Sequence, residues 1–527
     1  MSWTIRRRLA IAAALAACTG SEVCAQDEQA DQNRFDIWEY RVLGNSVLPA
    51  VRIEEVMYQR LGPAKTFDDV EAARAALEQV YRGAGYSTVF VDIPEQSVAQ
   101  GIVRLQVTEG RLDRIRVTGA KYFSNRDIRS LAPSLKRGEV PYFPAVQADL
   151  NELNRMSRDM KVVPVLRAGR TPGTVDVELK IDDELPAHGS LEVNNRYTAD
   201  TSETRASLNL SYDNLFQRQH SLSLQYQTAP QEPDEARVVA ATYALPAWDT
   251  GHFASLYAVD TNSEVATVGT LSVLGNGRIY GARYTIPLPA HESYFHTLTL
   301  GGDFKDFDED VLLTEEERLQ TPIQYAGWSL SYGAQVPTEH TLNSFNVAAN
   351  FGLRGLANAP EEFENKRFKA KANFFYLRAN AMHERRWLFG TQLALRLAGQ
   401  FTTEPLISNE QFGIGGADSV RGYLESAELG DLGIAGSLQW RTPSLGEWLG
   451  SRTAGLNAFV FVDAGSVAVI DALPGQASRV DLSSWGSGLR FAAWGLQADL
   501  DWAYPLNGTD NTERGDSRIH FRVSYGF

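Results

Sequence analysis

Two charged residues stand out because each lies where a charge needs a partner. Asp463 follows the apolar run 459–462, an unusual place for a carboxylate unless it faces a lumen and is paired. Arg421 ends the glycine-rich segment 412–421 and is the natural candidate for that partner. Such a pair can form a charge-assisted bidentate hydrogen bond. The role of such a pair would be to hold a loop against a strand.

The other reactive residue types are scattered along the chain. The eight histidines show no metal-ligand spacing, and no Ser-His-Asp or paired-carboxylate arrangement is recognisable. Both cysteines, Cys18 and Cys24, lie at the N-terminus, so the rest of the chain can form no disulfide, thiolate metal site or catalytic thiol. We therefore predict no catalytic residue, no metal and no cofactor, and a protein that is not an enzyme.

The charged pair lies within residues 186–527, where apolar and polar residues alternate without helical periodicity. The last predicted strand shares these residues on one face: Ile519, Phe521, Val523, Tyr525 and Phe527. About 16 such segments predict a transmembrane β-barrel of about 16 antiparallel strands. A soluble all-β protein, such as a sandwich pair or a propeller, is the alternative. It would have to pair charges such as Arg522 inside a packed interior.

Residues 34–109 and 110–181 have a different pattern, and the two segments are similar to each other. Each is predicted to contain a strand, two helices and two further strands, so each is a small α/β module. Modules of about 70 residues have small cores, and their repetition favours binding or spacing over catalysis. The net charge of -15 disfavours nucleic acid as a partner.

The first 25 residues have the pattern of a signal peptide. A basic segment, Arg6 to Arg8, precedes nine apolar residues that are too few to span a membrane, and cleavage is predicted after Ala25. The segment Leu15 to Cys18 also fits a lipobox, which would leave Cys18 as a lipidated N-terminus. Both readings predict export from a bacterial cytoplasm.

Two motifs, Val420-Arg421-Gly422-Tyr423 and Phe461-Val-Asp463-Ala-Gly465, resemble those of the two-partner secretion transporters of the outer membrane. These are the hemolysin-activator and filamentous-hemagglutinin-transporter type, within the superfamily of barrels with POTRA domains. Thr108-Glu109-Gly110, followed by residues 115–119, resembles the junction between the two POTRA domains of that family. The resemblance covers essentially the whole mature chain.

The resemblance implies an architecture. POTRA 1 would span residues 34–109, POTRA 2 residues 110–181, and a 16-stranded outer-membrane barrel residues 186–527. The loop around 412–433 would fold into the barrel, with Arg421 paired to Asp463. The residues expected to lock or gate that loop are Val420, Arg421, Gly422, Tyr423, Phe461, Asp463 and Gly465. Members often carry an N-terminal plug helix, which the short segment 26–33 does not accommodate, so we expect the loop alone to close the pore.

The resemblance also implies a function. The protein would export a large, unfolded, β-rich exoprotein from the periplasm to the cell surface, with the POTRA domains in the periplasm. Residues expected on client-binding sheet edges are Val103, Leu105 and Val107 in the first module, and Val162 and Val165 in the second. Tyr525 and Phe527 are expected to form a C-terminal signal for the barrel-assembly machinery. Outer-membrane lipids and lipopolysaccharide would surround the barrel.

Three alternatives remain open from the sequence. A barrel insertase of the same superfamily would fold membrane proteins, but it typically has more than two POTRA domains. A passive porin would need neither the periplasmic modules nor the Val-Arg-Gly-Tyr loop. An enzyme fused to a barrel would need N-terminal residues that the two modules already use.

Overall fold

The structure is a computed structural model that describes residues 34–527 except 99, 200, 248–250, 264, 269–270, 275, 292, 309, 313–317, 388 and 447–454. The predicted signal peptide, with cleavage after Ala25 or lipidation of Cys18, lies outside the described residues. The chain divides into two compact units, one ending at Asp183 and the other beginning at Glu184. Within the described residues, no helix is both long and apolar enough to cross a membrane.

The first module is a three-stranded sheet covered by two helices. Its elements are β1 (Phe35–Ile37), β2 (Glu39–Leu43), α1 (Ala50–Tyr58), β3 (Gly62–Lys65), α2 (Phe67–Gly83), β4 (Val89–Asp92) and β5 (Ile102–Glu109). The sheet order is β2-β5-β4, with β2 parallel to β5, while β1 and β3 form a separate pair.

Helix α2 begins where its sequence supplies a capping box. The Thr66 hydroxyl accepts from the backbone N–H of Asp69, and the Asp69 carboxylate accepts from the backbone N–H of Thr66. The latter hydrogen bond holds the pKa of Asp69 below its usual range. The helix then buries an apolar stripe that includes Val70, Leu77 and Tyr81 against the sheet.

The second module repeats this arrangement. Its elements are β6 (Arg111–Thr118), α3 (Asn125–Ser130), α4 (Phe143–Met156), β7 (Met160–Ala168) and β8 (Thr174–Asp183), with the sheet order β6-β8-β7. The two modules share a hydrogen-bonding motif at the end of their last strand. The Glu109 carboxylate at the end of β5 accepts from the backbone N–H groups of Ser46 and Val47. The Asp183 carboxylate at the end of β8 accepts from those of Lys121, Tyr122 and Phe123.

One sequence prediction about these sheets is wrong. Val103, Leu105 and Val107 lie on β5, which is the central strand, so none of them is on a sheet edge. The last strand of each module inserts between the other two, an order that the chain sequence does not reveal. Val162 and Val165 lie on β7, which is an edge strand, and its counterpart in the first module is β4.

The second unit is almost entirely β-structure. Its strands are β9 (Ala187–Asn194), β10 (Arg205–Leu215), β11 (His220–Thr228), β12 (Arg237–Ala247), β13 (His252–Thr261), β14 (Val265–Val268), β15 (Leu271–Leu274), β16 (Gly277–Pro287), β17 (Phe295–Phe307), β18 (Asp310–Leu312), β19 (Arg318–Gln320), β20 (Ile323–Pro337), β21 (Thr341–Gly352), β22 (Phe375–Arg386), β23 (Gln392–Thr402), β24 (Phe412–Ile414), β25 (Glu428–Gly430), β26 (Leu432–Arg441), β27 (Gly455–Ala468), β28 (Arg479–Ala493), β29 (Leu496–Pro505) and β30 (Arg518–Gly526). Two short helices, α5 (Pro360–Lys366) and a 3-10 turn (Ser408–Glu410), interrupt it, although the alternation predicted no helix there.

Sixteen of these strands form a closed antiparallel barrel, which confirms the predicted fold. They are β9 to β13, β16, β17, β20 to β23 and β26 to β30, while the other six pair only within loops. Closure pairs the backbone of every barrel strand on both sides, as a hydrocarbon environment requires. The barrel wall explains the alternation of apolar and polar residues, because apolar residues such as Leu224, Leu300 and Val460 face outward and are exposed.

The barrel closes at a seam between its first and last strands. Strand β9 pairs with β30 from Ser190 to Asn194, a shorter ladder than those of most neighbouring strands. The amide of Asn195 extends the ladder by donating to the Ile519 carbonyl and accepting from the Phe521 N–H. At the other end, Gly189 and Phe527 exchange two backbone hydrogen bonds of 2.9 Å.

The two rims of the barrel differ. One, the turn rim, holds tight turns such as 216–219, 338–340 and 494–495, together with the start of β9 and the end of β30. The other, the loop rim, holds the long connections 353–374, 403–431, 469–478 and 506–517. Parts of the first two of these loops are buried inside the barrel, so the lumen contains packed side chains.

Candidate functional site

The site is the infolded loop 403–431, which connects β23 to β26. Strands β24 and β25 pair as a small hairpin, so the loop enters and leaves the lumen as two adjacent segments. Its tip is Val420 to Tyr423, and all four tip residues are buried. Gly422 has a φ of +96°, a left-handed conformation that favours glycine.

Arg421 and Asp463 form a bidentate ion pair inside the lumen. Arg421 Nε lies 2.7 Å from Asp463 Oδ2, and Nη2 lies 2.8 Å from Oδ1. The backbone N–H of Arg421 adds a third hydrogen bond, 3.1 Å, to the same carboxylate. Asp463 is 0% exposed and Arg421 is 5% exposed, so water screens this pair poorly. The structure therefore brings together the two residues that the sequence singled out.

The guanidinium group has further partners that satisfy its remaining donors. It donates to Ser437 Oγ at 3.0 Å, and to Gln439 Oε1 and Asp501 Oδ2 at 3.3 Å. Its central carbon lies 3.3 Å from the centroid of the Phe461 ring, so the plane of the guanidinium stacks on the phenyl face. A buried arginine with this set of partners has one well-defined position.

Glycines make room for the contact between the loop tip, Val420 to Tyr423, and Phe461, Asp463 and Gly465 of β27. This contact is named here the lock. A Cβ on Gly465 would lie 3.0 Å from Val420 Cγ2, so the absence of a side chain lets the tip lie flat on β27. A Cβ on Gly486 would lie 2.5 Å from Cζ of Phe461. The predicted roles of Phe461 and Gly465 thus gain a physical reason: one supplies the stacking surface and the other supplies clearance.

The remaining tip residues fix the loop on either side of the arginine. Val420 packs in an apolar cluster with residues that include Ile414 and Val467. The Gly422 N–H donates to His520 Nε2 at 2.9 Å, and the Tyr423 hydroxyl lies 3.0 Å from the Ser483 carbonyl, to which it donates. All seven residues predicted to lock the loop are thus found at one place.

The other predicted site residues lie apart from the lock. The edge residues Val162 and Val165 are in the first unit, and Tyr525 and Phe527 are at the end of the last barrel strand, with exposed outward-facing rings. The ring of Phe527 covers Gly189 across the seam, because a Cβ on that glycine would lie 2.3 Å from Phe527 Cζ. These expected binding and assembly roles stay predictions.

Sequence reasoning missed several lock residues and all the residues at the root of the loop. Asp501 could have been found, because it is an acid at an inward position of a strand whose other face is apolar. Glu410 and Asp431 carry no such signal, since they lie in a loop without periodicity. Both are buried, at 4% and 0% exposure.

A polar cavity of about 460 Å³ lies beside the tip and is lined mainly by residues of β26 to β30. Arg421, Arg441 and Arg490 line it, together with Asp499 and Asp501. The lumen is therefore filled by packed side chains at the loop, with a polar cavity beside it.

The closed barrel, the two α/β modules that precede it and the arginine of an infolded loop held by a strand aspartate define a POTRA-barrel protein. Residues 173–491 match the haemolysin secretion/activation protein family ShlB/FhaC/HecB, and residues 35–110 match the ShlB-type POTRA domain. The chain belongs to this family, as its sequence predicted.

Characterised relatives support the assignment at low identity. The chain is 23% identical to the outer membrane transporter CdiB of Dickeya dadantii over 69% of its own length and 66% of that protein. It is also 23% identical to CdiB of Escherichia coli over 78% of its own length and 70% of the relative. The chain thus spans just under two thirds of the Dickeya protein.

Solved structures show the same fold. CdiB from Escherichia coli superposes with a TM-score of 0.61 at 18% identity, covering 96% of this chain and 93% of that one. BamA from Haemophilus ducreyi lacking POTRA domains 1-3 gives 0.59 at 16% identity, covering 94% and 100%.

Family and fold place the protein in the outer membrane with its POTRA domains in the periplasm. Because the POTRA domains lead directly into the start of β9, the turn rim faces the periplasm. The loop rim, with the infolded loop, faces the cell exterior.

Proposed function

We propose that this protein exports a large, unfolded, β-rich exoprotein across the outer membrane, with the barrel as the pore. The observation that carries the proposal is the buried Arg421–Asp463 pair, which holds a removable loop inside an otherwise wide barrel. A loop tip held by an ion pair can be released by separating that pair, without any change in the barrel wall.

Client capture is assigned to the free sheet edges of the POTRA modules, where an extended segment could add a strand. Strand β4 offers such an edge in the first module, with Phe90 exposed on its solvent face. Strand β7 offers one in the second, beside exposed Val163, but Pro164 removes one N–H donor within it. We therefore favour β4, a short edge of four residues that contains no proline.

The alternative functions fit less well. An insertase shares the barrel fold, as the similarity to BamA shows, but the family matched over residues 173–491 is one of secretion and activation proteins. A passive porin has no use for two periplasmic modules or for an ion-paired loop inside its lumen.

The test is export by the variants Arg421→Ala and Asp463→Ala, co-expressed with the partner exoprotein. Arg421→Ala leaves the buried Asp463 carboxylate without its cation, and Asp463→Ala leaves Arg421 with only the longer contact to Asp501, 3.3 Å. Breaking a buried pair typically costs about 3–5 kcal/mol, so the loop should lose its fixed position and export should fall. Export is measured as protease-accessible partner at the cell surface, and barrel level as the heat-modifiable band in gels.

Arg278→Ala is the matched control, because Arg278 is an exposed barrel arginine whose ion-pair partner, Asp260, is also exposed. Its export should equal that of the parent protein. Undiminished export by both lock variants, at normal barrel levels, would contradict the proposal.

A further inference from the structure

We infer that the pore is closed at two separate levels, and that Glu410, Asp431 and Arg367 hold the second closure. The first level is the loop tip on Asp463. The second, named here the outer plug, consists of the loop segment 353–374 and the root of the infolded loop, residues 403–411 with Asp431. This inference rests on the proposed export function and adds positioning residues to it.

The outer plug has its own apolar core inside the lumen. Phe363 of α5, Leu406 and Ile407 are each 1% exposed. Together with Phe374 of the same plug, they pack against inward-facing side chains of the barrel wall, namely Val238, Ala240, Val259, Ile279, Phe307, Ile323, Tyr325 and Tyr376. Such an apolar core excludes water from the volume that it fills.

Glu410 attaches the root of the infolded loop to one side of the barrel wall. Its carboxylate accepts from the hydroxyls of Tyr325 at 2.5 Å and Tyr376 at 2.6 Å, and pairs with Lys305 Nζ at 2.5 Å. A buried carboxylate satisfied by a cation and two hydroxyls has a single favourable position. Gln400 supports it by donating to the Glu410 carbonyl at 2.9 Å.

Asp431 ties three loops together. Its carboxylate pairs with both terminal nitrogens of Arg367, which follows α5, with Nη2 at 2.7 Å. It also accepts from the backbone N–H groups of Leu406 at 2.9 Å and Ile470 at 2.7 Å. The segments 353–374, 403–431 and 469–478 therefore meet at one carboxylate that is 0% exposed.

The hydrogen bonds of the tip and those of Glu410 rest on different parts of the wall. The tip contacts residues of β26 to β30, such as Ser437, Asp501 and His520. Glu410 contacts β17, β20 and β22, through Lys305, Tyr325 and Tyr376. None of the hydrogen bonds described for the tip shares a residue with those of the root. Release of the tip therefore leaves the outer plug in place, and passage of a client requires both to move.

The experiment is ionic conductance of the purified full-length protein in planar bilayers, with Arg421→Ala, Asp431→Asn and the double variant. If the two closures act in series, either one alone keeps the pore shut. The conductance of each single variant should then stay within about twofold of the parent, whereas that of the double variant should rise about tenfold or more. Glu410→Gln should replace Asp431→Asn with the same result, and heat-modifiable gel mobility checks that every variant is folded.

Lys371→Met is the control, because Lys371 and Glu404 form an exposed ion pair, 2.7 Å, between the same two loops. Combined with Arg421→Ala it should not raise the conductance. The inference is overturned if Arg421→Ala alone conducts as well as the double variant, or if the folded double variant stays closed. The conductance measurement needs no client protein. A wrong export proposal would therefore be recognised separately, in the export assay, where the parent protein would export nothing.

Discussion

At the scale of single residues, the lock depends on the shape of arginine as well as on its charge. Arg421 uses Nε and Nη2 for the two oxygens of Asp463, keeps its plane on the Phe461 ring and has donors left for Ser437 and Gln439. A lysine ammonium would place the same charge there without the fork or the plane. The residue therefore has no conservative substitute.

The variant Arg421→Lys tests this point. We expect it to lose about 2 kcal/mol of tip attachment, or about thirtyfold in the ratio of seated to released loops, because one ammonium cannot replace the bidentate and stacking contacts. Release is measured as protease cleavage within 412–433 in purified protein, with Arg278→Lys as the control. Parent-like cleavage of Arg421→Lys would show that charge alone seats the loop.

At the scale of elements, the loop tip and strand β27 are close enough to be joined covalently. The Cβ that a residue at Gly465 would carry lies 3.0 Å from Val420 Cγ2, a spacing within reach of a disulfide. Both natural cysteines lie at positions 18 and 24, so no other thiol in the barrel would compete.

The double variant Val420→Cys with Gly465→Cys should therefore lock the loop reversibly. We expect export to stop when the disulfide forms and to return with a reductant, because the oxidised tip cannot leave the lumen. Each single cysteine variant is the control for crowding. Export that continues at full rate with the disulfide formed would mean that the loop stays in place during transport.

The strands and helices also show which parts of the fold can be predicted from the sequence. Alternation predicted the barrel strands, because a wall between lipid and lumen imposes a period of two on each of them. It did not predict that β5 lies between β2 and β4, since strand order depends on packing after the chain has turned back. It missed α5 and Glu410 for a related reason: their partners, such as Tyr325, belong to strands remote along the chain.

At the scale of the whole molecule, the barrel depends on the seam between its first and last strands. Phe527 closes that seam twice, through backbone hydrogen bonds to Gly189 and through its ring over the same residue. This packing gives the C-terminal aromatic residue a structural role in the finished barrel, beside the assembly signal predicted from the sequence.

Two variants separate these roles. Phe527→Ala should lower both the barrel level in cells and the melting temperature of the purified protein, because it removes the predicted signal and the packing together. Gly189→Val keeps the aromatic residue but displaces its ring, so it should lower the melting temperature with little effect on recognition. Melting is followed by circular dichroism, with a loss of about 1–2 kcal/mol expected for either change. An unchanged melting temperature in both would leave Phe527 with a signalling role only.

The apolar core inside the lumen also bears on the order of steps by which the barrel folds. The segments 353–374 and 403–411 contribute side chains that contact strands from β12 round to β22, and the seam that completes the wall joins the first strand to the last one made. A finished wall would leave only an end-on path for those bulky groups. We therefore expect the loops to be gathered inward while the sheet is still open, so that closure of the seam encloses them.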